Sequence, residues 1–111
     1  GDFAVQPRSI MAWRNALSKS LQELRIHLDQ TAPASQGIRD FLVANYAEMK
    51  KANPHFPILV RESTGAEAKL IARYDFGVEK SVTIQGESPA TITSKLESLI
   101  KAGDSLPKSS Q

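Results

Sequence analysis

The hydrophobic period of this chain changes twice between residues 24 and 60, and no other feature restricts the fold as much. Leu24, Ile26 and Leu28 alternate with Arg25 and His27, which is the period-two pattern of a half-buried strand. Asp29 to Ala34 breaks that pattern with a loop carrying Pro33, and Ser35 stands where a helix N-cap is expected. Ile38, Phe41, Leu42, Tyr46 and Met49 then recur on one helical face. Lys50 and Lys51 suit the negative end of that helix dipole, and Asn53-Pro54 stops it. Pro57 opens a short run, Ile58-Leu59-Val60, apolar enough for a strand buried on both faces. A strand, a helix and a strand in this order form a right-handed parallel unit.

The remaining elements follow closely. Gly65 marks a connector, Lys69 to Tyr74 reads as a third strand, and Val82 with Ile84 marks a fourth between Gly77 and Gly86. Ser88-Pro89 combines a capping serine with proline at the first helical position. Ile92, Leu96, Leu99 and Ile100 make one apolar stripe, and Gly103 is placed to end the helix in a left-handed cap. The order is β-α-β-β-β-α, with later strands close enough in sequence for antiparallel pairing. Such a chain is α/β, a two-layer sandwich with a four-stranded mixed sheet and two main helices. This is the minimal thioredoxin-like arrangement. It divides into an N-terminal arm over residues 1–20, a domain over 21–103 and a polar tail over 104–111.

The chemistry that such a fold usually carries has no residues here. A thioredoxin-like redox site needs a thiolate where the first strand meets the first helix. The corresponding segment, Asp29 to Ser35, has no thiol, and the chain has no cysteine at all. That also removes disulfides and the usual zinc fingers and ribbons. Ser35 lacks an activating base and reads as a cap. His27 and His55, the only histidines, make no metal set with the ligands available. Arg61-Glu62 reads as a strand-end ion pair or a partner contact. Gly65, Gly77 and Gly86 are isolated, so no phosphate loop is present. Arg73-Tyr74-Asp75-Phe76 comes nearest to an RNA-binding strand but lacks the wider aromatic pattern, so Tyr74 and Phe76 are assigned to the core or a sheet edge. Although the pI is about 9.1, 14 basic against 12 acidic residues give a net charge of only +2, a weak field for nucleic acid. No run approaches the roughly 18 apolar residues of a membrane span, so membrane association has to pass through a partner. No catalytic, cofactor-binding or metal-binding residue is assigned, and no small-molecule substrate.

Partner binding is the function that remains. Residues 1–20 contain Arg8, Arg14 and Lys19 but only one acid, Asp2. The composition matches a mitochondrial transit peptide as well as a docking arm. Ile10, Trp13 and Leu17 form an apolar stripe with no evident partner inside the domain. Trp13 is therefore expected on a neighbouring subunit, as the residue type most enriched at binding hot spots. With both main helices on the same face, one face or edge of the sheet should lack cover. Arg25, His27, Arg61 and Arg73 are the candidates for a basic docking surface there.

Several blocks carry a family resemblance as a set. They are Leu24-Arg25-Ile26-His27-Leu28, Ser35-Gln36-Gly37-Ile38-Arg39-Asp40-Phe41, Lys50-Lys51-Ala52-Asn53-Pro54, Pro57-Ile58-Leu59-Val60-Arg61-Glu62, Lys69-Leu70-Ile71-Ala72-Arg73-Tyr74 and Phe76-Gly77. Over residues 21–102 the chain resembles the small thioredoxin-like accessory subunits of mitochondrial respiratory complex I. Their domain family also includes mitochondrial ribosomal proteins, which supply an alternative, rRNA-binding function. The resemblance implies a non-catalytic subunit that stabilises the matrix arm near the NADH-oxidising module, without flavin or iron–sulfur ligands. Its partners would be other matrix-arm subunits, and its place the matrix side of the inner mitochondrial membrane. Some members carry a cysteine at the end of the first strand and another after the second. The matching positions here are Asp29 and Ser63, so a redox switch does not carry over.

Overall fold

The computed structural model describes the backbone over residues 5–108 and side chains from Trp13 to Lys108. Its elements run α1 (Val5–Ser20), β1 (Glu23–Leu28), α2 (Gln36–Ala52), β2 (Ile58–Glu62), β3 (Lys69–Arg73), β4 (Glu79–Thr83) and α3 (Pro89–Asp104). Short 3-10 turns occupy Pro33–Ser35 and Asp75–Gly77. The sheet order is β2-β1-β3-β4. β1 pairs with β2 in parallel and with β3 antiparallel, and β3 pairs antiparallel with β4. The α/β architecture and the mixed four-stranded sheet expected from the sequence are both present.

The core lies between one face of this sheet and a single layer of helices. Leu24, Ile26 and Leu28 of β1, with Leu70 and Ala72 of β3, point into it and are buried. Ile38, Phe41 and Met49 meet them from α2, and Ile92, Leu96, Leu99 and Ile100 from α3. Ser88 caps α3 as its sequence position implied, its Oγ accepting from the Thr91 amide at 3.3 Å.

The largest correction concerns the N-terminal segment. α1 is a third helix of the same layer, packed against α2 and α3. Trp13 is 4% exposed and Leu17 fully buried, and the Trp13 ring stacks on Phe41 with centroids 5.9 Å apart. The stripe has its partner inside this chain, so Trp13 belongs to the core and not to a docking arm. Ile10 lies outside the residues whose side chains are described. Asn53, read from sequence only as a helix stop, holds α1 in place. Its Nδ2 donates to the Arg14 carbonyl at 2.6 Å and the Met49 carbonyl at 2.9 Å, while its Oδ1 accepts from the Ser18 amide at 3.2 Å.

Three smaller differences share one cause, the position of an element among its neighbours. β2 is an edge strand, so Leu59 and Val60 are exposed where the apolar run suggested burial on both faces. Phe76 is also exposed, on a left-handed turn with φ 64°, while Tyr74 is buried and donates its hydroxyl to the Leu99 carbonyl at 2.6 Å. Gly103 lies inside α3 and does not cap it in a left-handed conformation. A Cβ there would stand 2.6 Å from the Ser20 carbonyl oxygen and 2.9 Å from the Tyr74 ring, so this glycine admits the end of α1 and Tyr74, which follows β3, against α3. Beyond the helix, Leu106 packs on the core and Lys108 donates to the Gly103 carbonyl at 2.9 Å, so the start of the tail is part of the fold.

Candidate docking surface on the open sheet face

Residues directly opposite each other on paired strands project to the same side of a sheet. In β1 the buried set is Leu24, Ile26 and Leu28, so Glu23, Arg25 and His27 project away from the helices. The register carries this face across all four strands. Arg25 lies opposite Leu59 of β2 and Ile71 of β3, and Ile71 lies opposite Ser81 of β4. His27 lies opposite Arg61 and Lys69, and Lys69 opposite Thr83. Glu23 lies opposite Arg73, which lies opposite Glu79. The open face therefore reads Glu23–Arg73–Glu79 in one row, Leu59–Arg25–Ile71–Ser81 in the next and Arg61–His27–Lys69–Thr83 in the third. Among the described residues, the helices all pack on the other side.

Its charge is predominantly positive. Arg25 pairs with Glu23, and Lys69 stands 3.9 Å from Glu67. Arg61 and Arg73 have no ion pair among the described residues. Burial among its neighbours pushes the His27 imidazole below its ordinary value, and the charges of Arg61, Lys69 and Arg25 push it further the same way. Burial first, and the neighbouring cations second, thus bias His27 toward its neutral form.

The junction between β1 and α2, where a redox relative would keep its thiol, is an immobilised polar turn. The Asp29 carboxylate accepts from the amides of Thr31 at 2.8 Å, Ala32 at 3.0 Å and Gly65 at 2.6 Å, and from the Thr31 hydroxyl at 3.3 Å. Those amides hold its carboxyl down to about 2. Ser35 occupies the N-cap position of α2 but makes no side-chain cap. Its Oγ instead accepts from the Asp29 amide at 3.0 Å, so the serine closes the turn rather than the helix. Arg39 completes the turn by donating to the carbonyls of Asp29 at 2.9 Å and Ala32 at 3.0 Å. The arrangement holds two loops together. Among the described residues no group of three His, Asp or Glu side chains is placed to hold a metal ion, and no helix is long and apolar enough to cross a membrane.

The structure brings Arg25, His27, Arg61 and Arg73 onto one uncovered face and leaves Trp13 out of it. Glu62 neighbours Arg61 in the chain but points to the opposite side of β2, so the two do not act as a pair. His55 is exposed in the loop after α2. Lys69, Leu59 and Ile71 belong to the surface and were not singled out from sequence. Strand parity could have found them: along β1, β2 and β3 every odd-numbered residue faces outward.

Residues 38–89 match the family model described as mitochondrial ribosomal protein L51 / S25 / CI-B8 domain. NADH dehydrogenase (ubiquinone) 1 alpha subcomplex subunit 2 of Arabidopsis thaliana is 47% identical over 93 residues, covering 84% of this chain and 96% of its own. The protein of the same name in Mus musculus is 46% identical over 80 residues, covering 72% of this chain and 81% of its own. The NADH-ubiquinone oxidoreductase 10.5 kDa subunit of Neurospora crassa is 43% identical over 91 residues, covering 82% and 97%. Identity at this level across most of both chains, on a fold that keeps every quoted block in a definite structural place, means that the chain belongs to the family of NADH dehydrogenase (ubiquinone) 1 alpha subcomplex subunit 2.

Proposed function

We propose that this chain is a non-catalytic accessory subunit of mitochondrial respiratory complex I that stabilises the matrix arm beside the NADH-oxidising module. In this reading it sits on the matrix side of the inner membrane, reaches the membrane only through the complex, and binds neighbouring matrix-arm subunits through Arg25, His27, Arg61 and Arg73. The observation that carries the reading is the extended identity to proteins named as complex I subunits. It is supported by a junction that holds a structural carboxylate, Asp29, in place of a thiol, and by an uncovered basic face that the core does not need. A subunit of this kind contributes binding surface to a larger assembly, and its effect on NADH oxidation is indirect.

Mitochondria lacking their own homologous subunit provide the test. The full chain should migrate with complex I on a native gel and restore the level of the NADH-oxidising subassembly. Arg61→Glu with Arg73→Glu should keep the circular dichroism spectrum and lose incorporation. Migration of the full chain with ribosomal subunits, and salt-sensitive binding to rRNA, would replace this reading with the ribosomal one.

A further inference from the structure

An antiparallel or mixed sheet can leave one face in water when that face is polar. Here the exposed face is more specific than solvation requires. β4 places Glu79, Ser81 and Thr83 outward. β1, β2 and β3 instead bring Arg61, His27 and Lys69 side by side, on strands about 4.8 Å apart. Arg61 and Lys69 flank His27 across three strands, and nothing in the core calls for two cations in this row. The adjacent row sets Leu59 and Ile71 on either side of Arg25, and Leu59 is 47% exposed. Arg25 thus lies between two apolar side chains, with Arg61, His27 and Lys69 along one side of that row and Arg73, between Glu23 and Glu79, along the other.

The complement of that pattern is a surface with an apolar strip bordered by carboxylates, which one face of an amphipathic helix supplies. The dimensions agree. Four strands span about 14 Å between their outer axes, and a five-residue strand runs about 17 Å. A helix is about 10–12 Å across and covers 17 Å in about three turns. Outward residues along a strand are about 6.6 Å apart, close to the 5–6 Å between helix positions three and four apart. A helix laid on the exposed face of a sheet also completes the layering that α/β domains generally adopt. Nucleic acid fits less well, because the open-face positions of the strands hold no aromatic side chain on which a base could stack.

We propose that the open sheet face receives an acidic amphipathic helix of a neighbouring protein subunit, whose carboxylates meet Arg61, His27, Lys69 and Arg73 and whose apolar strip covers Leu59 and Ile71. The inference rests on the accessory-subunit reading for the partner's location, and on the face itself for the partner's chemistry. Its test is a photo-crosslink in mitochondria expressing the full chain. Leu59→p-benzoylphenylalanine and Ile71→p-benzoylphenylalanine place the reactive group on the strip from an edge and a central strand, and Val43→p-benzoylphenylalanine on α2 is the control. Both strip positions should join the same protein segment, helical in pattern and bearing at least three carboxylates, and the control should not. Arg61→Glu with Lys69→Glu should reduce the adduct at least tenfold. If that pair disturbs the circular dichroism spectrum, Arg61→Gln with Lys69→Gln removes the charge without reversal and should reduce it in the same direction. No adduct at either strip position, or an adduct with lipid, RNA, a second copy of this chain or a basic or uncharged segment, overturns the proposal. An acidic helix from a protein outside complex I would sustain it and overturn the accessory-subunit reading. Migration with complex I without an acidic-helix adduct would do the reverse.

Discussion

Replacing Gly103 by alanine sets local helix preference against close packing, and the structure decides the sign. In an open helix interior, alanine stabilises over glycine by roughly 0.5–1 kcal/mol. At Gly103 the added Cβ would lie 2.6 Å from the Ser20 carbonyl oxygen and 2.9 and 3.1 Å from two Tyr74 ring carbons. Neither neighbour moves freely. Ser20 ends α1 and its hydroxyl donates to the Asp104 carboxylate at 2.9 Å. The Tyr74 ring is 2% exposed and fixed at its far end by the bond to the Leu99 carbonyl. Forcing α3 away from both is an overpacking change, worth about 1–3 kcal/mol. The net expectation for Gly103→Ala is a loss of about 1–2 kcal/mol, a substantial part of a domain's usual 5–15 kcal/mol, which at about 4–8 °C per kcal/mol would lower the melting temperature by roughly 4–16 °C. Urea unfolding of the full chain, followed in parallel by far-ultraviolet circular dichroism and Trp13 fluorescence, measures it. Trp13 reports on α1, so a tryptophan transition at lower urea than the dichroism transition would show α1 leaving first. A midpoint at or above wild type would refute the close-packing argument and leave helix propensity as the governing effect.

Removing the stack between α1 and α2 should be comparably visible: Trp13→Ala and Phe41→Ala should each cost about 3–5 kcal/mol, and the double variant should reveal a coupling of about 0.5–1.5 kcal/mol in urea midpoints, whereas strict additivity would deny the contact. His27 should titrate below 6.5 by NMR, and Arg61→Gln or Lys69→Gln should raise its midpoint. Because the folded value is the lower one, the unfolded chain takes up the proton first, so stability falls as pH drops below 6.5 toward the folded value; a midpoint unmoved by both variants would remove the row of cations as a cause. Asp29 has the same sign in a more acidic window: its folded value of about 2 lies below the ordinary 3.8, so its stabilisation is complete above about pH 4 and is lost as pH falls toward 2. Asp29→Asn should be less stable at neutral pH and show a shallower acid transition, and an unchanged acid limb would exclude this carboxylate as its source.

The sheet was legible because alternation in Leu24–Leu28 and in Lys69–Arg73 records burial on one side directly, and Ser88-Pro89 records a helix start in two residues. What sequence withheld were contacts between distant segments. Nothing near Trp13 announces Phe41, and nothing in Lys50–Pro54 announces that Asn53 bonds to Arg14 and Ser18. A segment that looks like an unpartnered arm can be a helix of the core when its partners lie 28 to 39 positions away in the chain. Gly103 follows the same logic: a glycine after an apolar stripe resembles a stop, and only the approach of Ser20 and Tyr74 explains it. Ile58-Leu59-Val60 has the composition of a central strand but takes the edge, because β1 has β3 on its other side. Ser35 turned toward Asp29 because the turn before α2 needs an acceptor there. The four basic candidates were legible as outward residues, but their meeting in adjacent rows depends on strand register, which no single segment carries.

Parity along the strands separates what this domain needs for itself from what it offers to others. In β1, β2 and β3 the even positions Leu24, Ile26, Leu28, Ile58, Leu70 and Ala72 are buried, with Val60 and Glu62 exposed on the edge strand, and hydrophobic transfer is sufficient reason for each of the buried ones. The odd positions Arg25, His27, Leu59, Arg61, Lys69, Ile71 and Arg73 answer to no such requirement. Uncharged, small polar residues would satisfy a solvated face, and the core does not require Arg61 and Lys69 on either side of His27. Substitutions at even positions should therefore be read first in unfolding midpoints, and those at odd positions first in assembly. The pattern left over once the core has been explained, Arg25, Arg61, Lys69 and Arg73 around Leu59 and Ile71 with Glu23 and Glu79 at one side, is the part of the sequence that describes another molecule.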